Sequence, residues 1–430
     1  MWRRSVIRTS AVGRSLDWSV RHTLQVAACA ALACGCMTDG DVLTSLPPPE
    51  PRVPRAADDF VDSIGVTVLY ADNDHFATIE QPALERLGVR HVRDWARAPS
   101  ENAEQVAMLR MLGDAGIRAQ LIFEPRFGLL PEHFDPIAMA LADALESVEG
   151  ANDNDANDED LSTEDVVEQL RGLRAAIDDA GLTGQVALVD ALDIEPEEKG
   201  DLSDVLDYGN FERDRDRTLP AIDLSDRKAA ARLSCGSKPL MVTECGYSTT
   251  DSPLSVTEGA AAKYLLRLVL GHFAQNIART YIDELMDGPE DDIEPFMAQG
   301  LLHLDGAAKP AFGALQRLIE LLEDEGEAFA LEPLDVAMSE APASLRSVLL
   351  QKRDGRYALV LWQEVASFVE LDQPEPDVES QRVELTFAAA TARVELYEPL
   401  TSSSAVLEAT GVRTLAIAVP DHPVVLVIER

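Results

Sequence analysis

The stretch Lys238–Thr250, KPLMVTECGYSTT, puts a single carboxylate where it can do chemistry. Pro-Leu-Met-Val-Thr is an apolar run suited to a buried strand, and Glu244 stands where that run stops. A glutamate at the end of a buried strand is costly unless something uses its charge. A second set of acids lies upstream in VEGANDNDANDED: Glu149, Asp153, Asp155 and Asp158. Two carboxyl groups from different strand ends suit cleavage of a glycosidic bond. One stays ionised and attacks or stabilises the anomeric carbon, while the other donates a proton. Neighbouring like charges and partial burial raise the pKa of a carboxyl, as a proton donor requires. The plainer reading of Glu244 is a strand-end acid held by an arginine or a helix N-terminus.

The upstream loop supports two further readings. Asp153, Asp155, Asn157 and Glu164 follow the alternation of a calcium loop, with Glu164 in the twelfth position. Asp158 stands sixth, where such loops have glycine for a sharp turn. The other reading is a solvated acidic loop. His22, His75, His91, His133, His272, His303 and His422 show no close metal-like spacing, so zinc is not expected. No serine stands in a Gly-x-Ser-x-Gly setting, and no cofactor is expected.

The elements that must position these acids follow a rhythm. Strand patterns at SIGVTVLY, VRHVRDW, AQLIFEP, SVEGAND, Val186–Leu192, LDYGNF, PLMVTE and ARTYIDELM alternate with helical ones. Helices are expected at 80–87, 101–115, 136–145, 163–180, 259–274 and 310–322. The longest has Val166, Val167, Leu170, Leu173 and Ile177 as its apolar stripe. This alternation predicts a (β/α)8 TIM-type barrel, whose active site lies at the strand C-terminal ends. A doubly wound sheet is the alternative, but no Gly-rich phosphate loop follows a strand. After Gly326 only β-type runs remain, broken by Asp-Gly, Pro and Ser clusters. They predict a C-terminal antiparallel β-sandwich with Trp362 in its core.

With these elements in place, EGANDND, MVTECGYSTT, YIDEL, GLLHLDGAAKPAFGAL and LLQKRDGRYALVLWQEV together resemble exported bacterial glycoside hydrolases of the retaining barrel clan. The resemblance runs from about Ser63 to the C-terminus. It implies a nucleophile at Glu244 and a 2-hydroxyl contact at Asn152. It also implies an arginine supporting the nucleophile at Arg93, and substrate contacts at Tyr247 and Glu212. The family's acid/base is a Glu following the Asn on the fourth strand, and this chain has Asp153 there. One methylene withdraws the proton donor by about 1 Å, a displacement that can cost ~100-fold in rate. The family's Asn-Phe-His-Pro-Tyr becomes Asn210, Phe211, Glu212, Arg213, Asp214, and Asp283 stands where Tyr is common. The resemblance therefore implies carbohydrate hydrolysis, or a barrel that binds glycans without cleaving them. A calcium-stabilised surface protein is a further alternative from the loop pattern.

Charge and termini bound the partners. The 430 residues contain 37 Lys and Arg against 76 Asp and Glu, a net charge of −39. Nucleic acid and anionic membrane surfaces need the opposite sign. Hydrophobic residues at 46% are ample for a core. Arg3, Arg4, Arg8, Arg14 and Arg21 precede the apolar run Leu24–Cys36, which is too short to span a bilayer and has the length of a signal-peptide core. It ends at Cys34 and Cys36, resembling a lipobox, so either cysteine is a candidate for lipidation. Pro47, Pro48, Pro49, Pro51 and Pro54 then predict a stiff tether. Cys235 and Cys245 flank a strand and lie too far apart for a disulfide. The expected organisation is a lipoprotein-type signal at 1–35, a tether at 36–58, the barrel at 59–326 and the sandwich at 327–430. The expected product is a monomer in the bacterial cell envelope or at the cell surface, touching the membrane only through its lipid.

Overall fold

The computed structural model describes residues 49–69, 75–97, 103–152, 161–192, 194, 196–212, 217–288, 298–339 and 342–430. Two short strands come first, β1 (Glu50–Arg52) and β2 (Arg55–Ala56). Proline content suggests a tether here, yet β1 pairs with Leu334–Val336 and β2 with Leu350–Gln351. Pro51 stands opposite Asp335, and its missing N–H is tolerated because β1 is an edge strand.

The barrel strands are β3 (Ile64–Thr67), β4 (His91–Trp95), β5 (Arg118–Ile122), β6 (Leu145–Glu149), β7 (Ala187–Val189), β8 (Gly209–Phe211), β9 (Leu240–Cys245) and β10 (Ile277–Ile282). All eight overlap the predicted runs, although β6 begins at Leu145, inside the span expected to be helical. They pair in parallel in the order β7-β6-β5-β4-β3-β10-β9-β8. A bridge between Val189 and Tyr208 closes the sheet on itself. At the floor of the barrel the Tyr281 ring lies against Gly65. A Cβ on Gly65 would stand 2.4 Å from Tyr281 Cδ1, so the close approach requires glycine.

The helices are α1 (Ala57–Asp62), α2 (Gln81–Leu87), α3 (Ala103–Asp114), α4 (Phe134–Leu141), α5 (Thr163–Asp179), α6 (Pro196–Lys199), α7 (Leu224–Cys235), α8 (Glu258–Ala274) and α9 (Pro310–Leu322). α5 starts at a capping box: Ser162 Oγ accepts from Asp165 N at 3.2 Å, and Asp165 Oδ2 accepts from Ser162 N at 3.0 Å. Val166, Leu170, Leu173 and Ile177 form its buried stripe. The sequence pattern gives no sign of α7. That helix buries only Leu224, Ala231, Ser234 and Cys235, so it has no continuous apolar stripe.

The remaining strands are β11 (Leu334–Met338), β12 (Leu345–Gln351), β13 (Tyr357–Gln363), β14 (Gln381–Phe387), β15 (Arg393–Tyr397), β16 (Leu407–Thr410), β17 (Thr414–Val419) and β18 (Val424–Glu429). They form sheets β1-β11-β14-β17 and β16-β15-β18-β13-β12-β2. Strand β13 is apolar on both faces because both are covered. Tyr357, Leu359 and Leu361 enter the core between the sheets. Ala358, Val360 and Trp362 join the apolar cluster of the barrel and its helices. Trp362 thus packs on the barrel side and not between the sheets. Arg267, buried on α8, donates to Gln363 O at 2.8 Å, Val365 O at 2.6 Å and Ser367 Oγ at 3.0 Å, tying that helix to the sandwich.

Candidate active site

On a strand, alternate side chains share a face. Arg93 on β4 points into the barrel, and the guanidinium, 1% exposed, reaches two carboxylates at once. Its Nε and Nη2 donate to Glu149 Oε2 and Oε1 at 2.7 and 2.9 Å, and Nη1 donates to Glu244 Oε1 at 3.0 Å. Burial alone would lower the arginine's pKa. The Glu149 and Glu244 carboxylates outweigh it and hold the group above its ordinary value.

Glu149 is fully buried at the end of β6. Besides Arg93 it accepts from Gln120 Nε2 at 2.7 Å, Asn210 Nδ2 at 3.1 Å and Thr243 Oγ1 at 3.1 Å. Both oxygens are engaged in these bonds and neither meets solvent. Glu149, a possible proton donor from its position in the chain, is the arginine's anchor instead.

Glu244 faces the barrel through a register shift. Thr243 points inward, so strict alternation would turn Glu244 outward. Between Thr280↔Val242 and Ile282↔Cys245 two residues of β9 lie opposite one of β10. Such a bulge re-aims a side chain, and Glu244 turns in beside Arg93. Its side chain is 13% exposed.

Asn152 completes the group. Its Nδ2 donates to Glu244 Oε1 at 2.5 Å. Its Oδ1 is buried and has no partner among the described residues. The backbone beneath it is strapped from two sides. Glu124 Oε2 accepts from Asn152 N at 3.1 Å. Gln169 on α5 accepts from Ala151 N at 3.0 Å and donates to Phe123 O at 2.5 Å. Buried backbone groups must be paired, so α5 and the end of β5 together fix where Asn152 stands. On the outer face of β4, Asp94 accepts from Trp95 N at 2.8 Å and Gln105 Nε2 at 2.5 Å. Burial pushes its carboxyl up to about 7.

The structure brings together Arg93, Asn152 and Glu244. Tyr247 does not join them. Its ring lies against Tyr264 with centroids 5.2 Å apart, and its hydroxyl donates to Thr218 O at 3.2 Å. It is a buried strut on the α8 side, not a wall of the site. Glu212 follows β8, half-buried, and its carbonyl accepts from Arg227 Nη1 at 3.2 Å. Asp153, Asp155, Asn157, Asp158, Arg213, Cys34 and Cys36 lie outside the described residues. Glu164 is exposed on the first turn of α5. Among the described residues no group of three His, Cys, Asp or Glu could hold a metal. Gln120, Glu124, Gln169, Asn210 and Thr243 support the site, and no motif in the sequence marks them as a group. Gln120, Asn210 and Thr243 were detectable as polar side chains inside apolar strands, where burial demands partners.

No protein-family model matches the chain, and no curated protein does. Solved structures match it by shape. A family 39 glycoside hydrolase from Bacteroides cellulosilyticus superimposes with a TM-score of 0.59 at 13% identity, over 88% of this chain and 83% of that one. A glucosidase from Croceicoccus marinus gives 0.56 at 10% identity, over 90% and 98%. An endo-beta1,6-glucanase gives 0.50 at 11% identity, over 89% and 93%. These likenesses extend over barrel and sandwich alike, and what they establish is the fold: an eight-stranded parallel barrel followed by a β-sandwich, as in those glycoside hydrolases.

Proposed function

We propose that the protein is a glycoside hydrolase that cleaves O-glycosidic bonds of an oligo- or polysaccharide with retention of configuration. We further propose that it is exported and held at the bacterial cell envelope by a lipid on Cys34 or Cys36. The observation behind the enzymatic reading is the side chain of Asn152. Its amide nitrogen fixes Glu244 Oε1, and its oxygen is a buried acceptor with no partner among the described residues. Buried acceptors seek donors, and a sugar hydroxyl beside the anomeric carbon is one.

In this scheme Glu244 attacks the anomeric carbon and forms a glycosyl ester. Asp153 gives its proton to the departing glycosidic oxygen. Asp153 then takes a proton from water, the water oxygen bonds to the anomeric carbon, and the Glu244 carboxylate leaves. Arg93 favours the ionised, attacking form of Glu244 by charge and hydrogen bonding, and Glu149 keeps Arg93 in place.

A second reading is a barrel that binds glycans without cleaving them. Asp153 favours it, because a shorter proton donor after Asn152 weakens the first step. Both readings meet one test. Wild type and Glu244→Gln are incubated with neutral gluco-, galacto-, manno- and xylo-oligosaccharides, and the first-formed anomer is read by NMR. Retention, with loss of turnover in the variant, supports the enzyme. Saturable binding without turnover supports the second reading. Equal rates for both proteins eliminate Glu244 as the nucleophile.

A further inference from the structure

We propose that Trp95 and Phe127 form a stacking platform for a second, uncharged pyranose ring of the substrate. This makes the site selective for oligo- or polysaccharide over single-ring glycosides. The inference rests on the glycoside reading above and goes beyond it by naming the residues that set substrate length.

Three observations support it. The first is register. His91, Arg93 and Trp95 occupy alternate positions of β4 and so share its inward face. His91 lies at the floor, where its Nδ1 meets Glu146 Oε1 at 2.7 Å. Arg93 lies one layer up, bonded to Glu244. Trp95 lies a further layer up, about 7 Å along the strand from Arg93. That is the C-terminal mouth, where barrels take their substrates. The second is exposure. Phe127, in the turn after β5, is 59% exposed. Its ring meets Trp95 edge-on, with centroids 5.3 Å apart and planes at 62°. An exposed phenyl ring set against a half-buried indole at the mouth presents flat apolar surface, and the C–H faces of a pyranose ring are a matching partner.

The third is rigidity. Phe127 ends the short turn Pro125–Phe127, which Gly128 closes at φ 79°. Glu124 caps that turn by accepting from Arg126 N at 3.1 Å. The other oxygen of the same carboxylate accepts from Asn152 N. One buried side chain therefore fixes both Phe127's turn and the backbone of Asn152. A pre-organised surface loses little entropy on binding. The ring is uncharged because a chain of net charge −39 repels anionic sugars.

The test uses the full chain, with Trp95→Ala, Phe127→Ala and Glu244→Gln. Substrates are neutral oligosaccharides of two to five units and aryl glycosides of the same sugar. The length preference is the ratio of kcat/KM for the tetrasaccharide to that for the one-ring aryl glycoside. Each platform variant is expected to reduce that ratio about tenfold. Misfolding lowers both rates together and leaves the ratio unchanged. Fluorescence gives a second readout. Of the four tryptophans, Trp2 and Trp18 lie outside the described residues, Trp362 is 1% exposed and Trp95 is half-buried. Oligosaccharide is expected to shift the emission of wild type and of Glu244→Gln, but not that of Trp95→Ala. An unchanged ratio in both platform variants, with hydrolysis still abolished by Glu244→Gln, refutes the platform and leaves the glycoside reading standing. A wild type that neither binds nor cleaves any of the glycans overturns both.

Discussion

Arg93 is the point at which stability and chemistry meet, so its removal is the most informative perturbation. Replacing it with methionine keeps length and apolar stem but withdraws three hydrogen bonds, two to Glu149 and one to Glu244. Glu149 is fully buried, so its charge is left without a cation. Breaking a buried ion pair from one side costs about 3–5 kcal/mol. For a domain of this size that corresponds to a fall on the order of 10 °C in Tm. In Arg93→Met/Glu149→Gln the stranded charge is gone, while Gln120, Asn210 and Thr243 keep an amide to bond. About half or more of the lost stability should return. The assay is differential scanning calorimetry of wild type, both single variants and the double variant at pH 7. The cycle isolates the coupling between the two side chains. A wild-type Tm for Arg93→Met, or a double variant as unstable as the two losses added, would refute the claim that Glu149 depends on this arginine.

Three further outcomes follow from the same geometry. Asp94 has a folded pKa of about 7 against an ordinary 3.8, so the folded state holds a proton that the unfolded state releases. Its contribution is intact below about pH 4, declines as pH rises towards 7 and is flat above. The unfolding free energy of Asp94→Asn relative to wild type should therefore improve from pH 4.5 to pH 8, by roughly 3 kcal/mol. An equal difference at both pH values contradicts a buried, titrating Asp94. Gln169→Ala leaves Ala151 N and Phe123 O without their side-chain partners. It should cost about 1–3 kcal/mol and, by loosening Asn152, lower kcat/KM ~10–100-fold, so an unchanged rate would exclude the strap. Arg267→Met strands the carbonyls of Gln363 and Val365. It should cost roughly 2–4 kcal/mol and open the segment after β13 to limited proteolysis, and a wild-type digest would contradict that role.

The barrel was legible because each strand is a short apolar run and most are bounded by helical patterns, and pairing in parallel follows from that order. Glu244 was legible as a candidate from its place at a strand end, and Asn152 and Arg93 only through the family resemblance. Their mutual geometry was not. The bulge that turns Glu244 inward depends on how β9 pairs with β10, and no local pattern in PLMVTE records it. Glu149 reads as one more acid in VEGANDND until its five donors, which come from four strands, are in view. Tyr247 follows the strand-end acid closely in sequence, yet contacts with Tyr264 and Thr218 draw it to the other side of the wall. Residues 50–56 look like tether because they continue the proline-rich run that starts at Pro47, while their pairing partners lie nearly 300 residues away. α7 was illegible because its buried residues, Leu224, Ala231, Ser234 and Cys235, leave the middle of the helix without an apolar stripe.

The most direct measurement is covalent trapping of the glycosyl enzyme. Wild type is incubated with activated 2-deoxy-2-fluoro glycosides of the sugars it hydrolyses, then digested and read by peptide mass spectrometry. A retaining enzyme built on Glu244 should gain the mass of one fluoroglycosyl unit on the peptide containing Glu244, and Glu244→Gln should gain none. An adduct on another carboxylate, or turnover by wild type with no adduct at all, would contradict it.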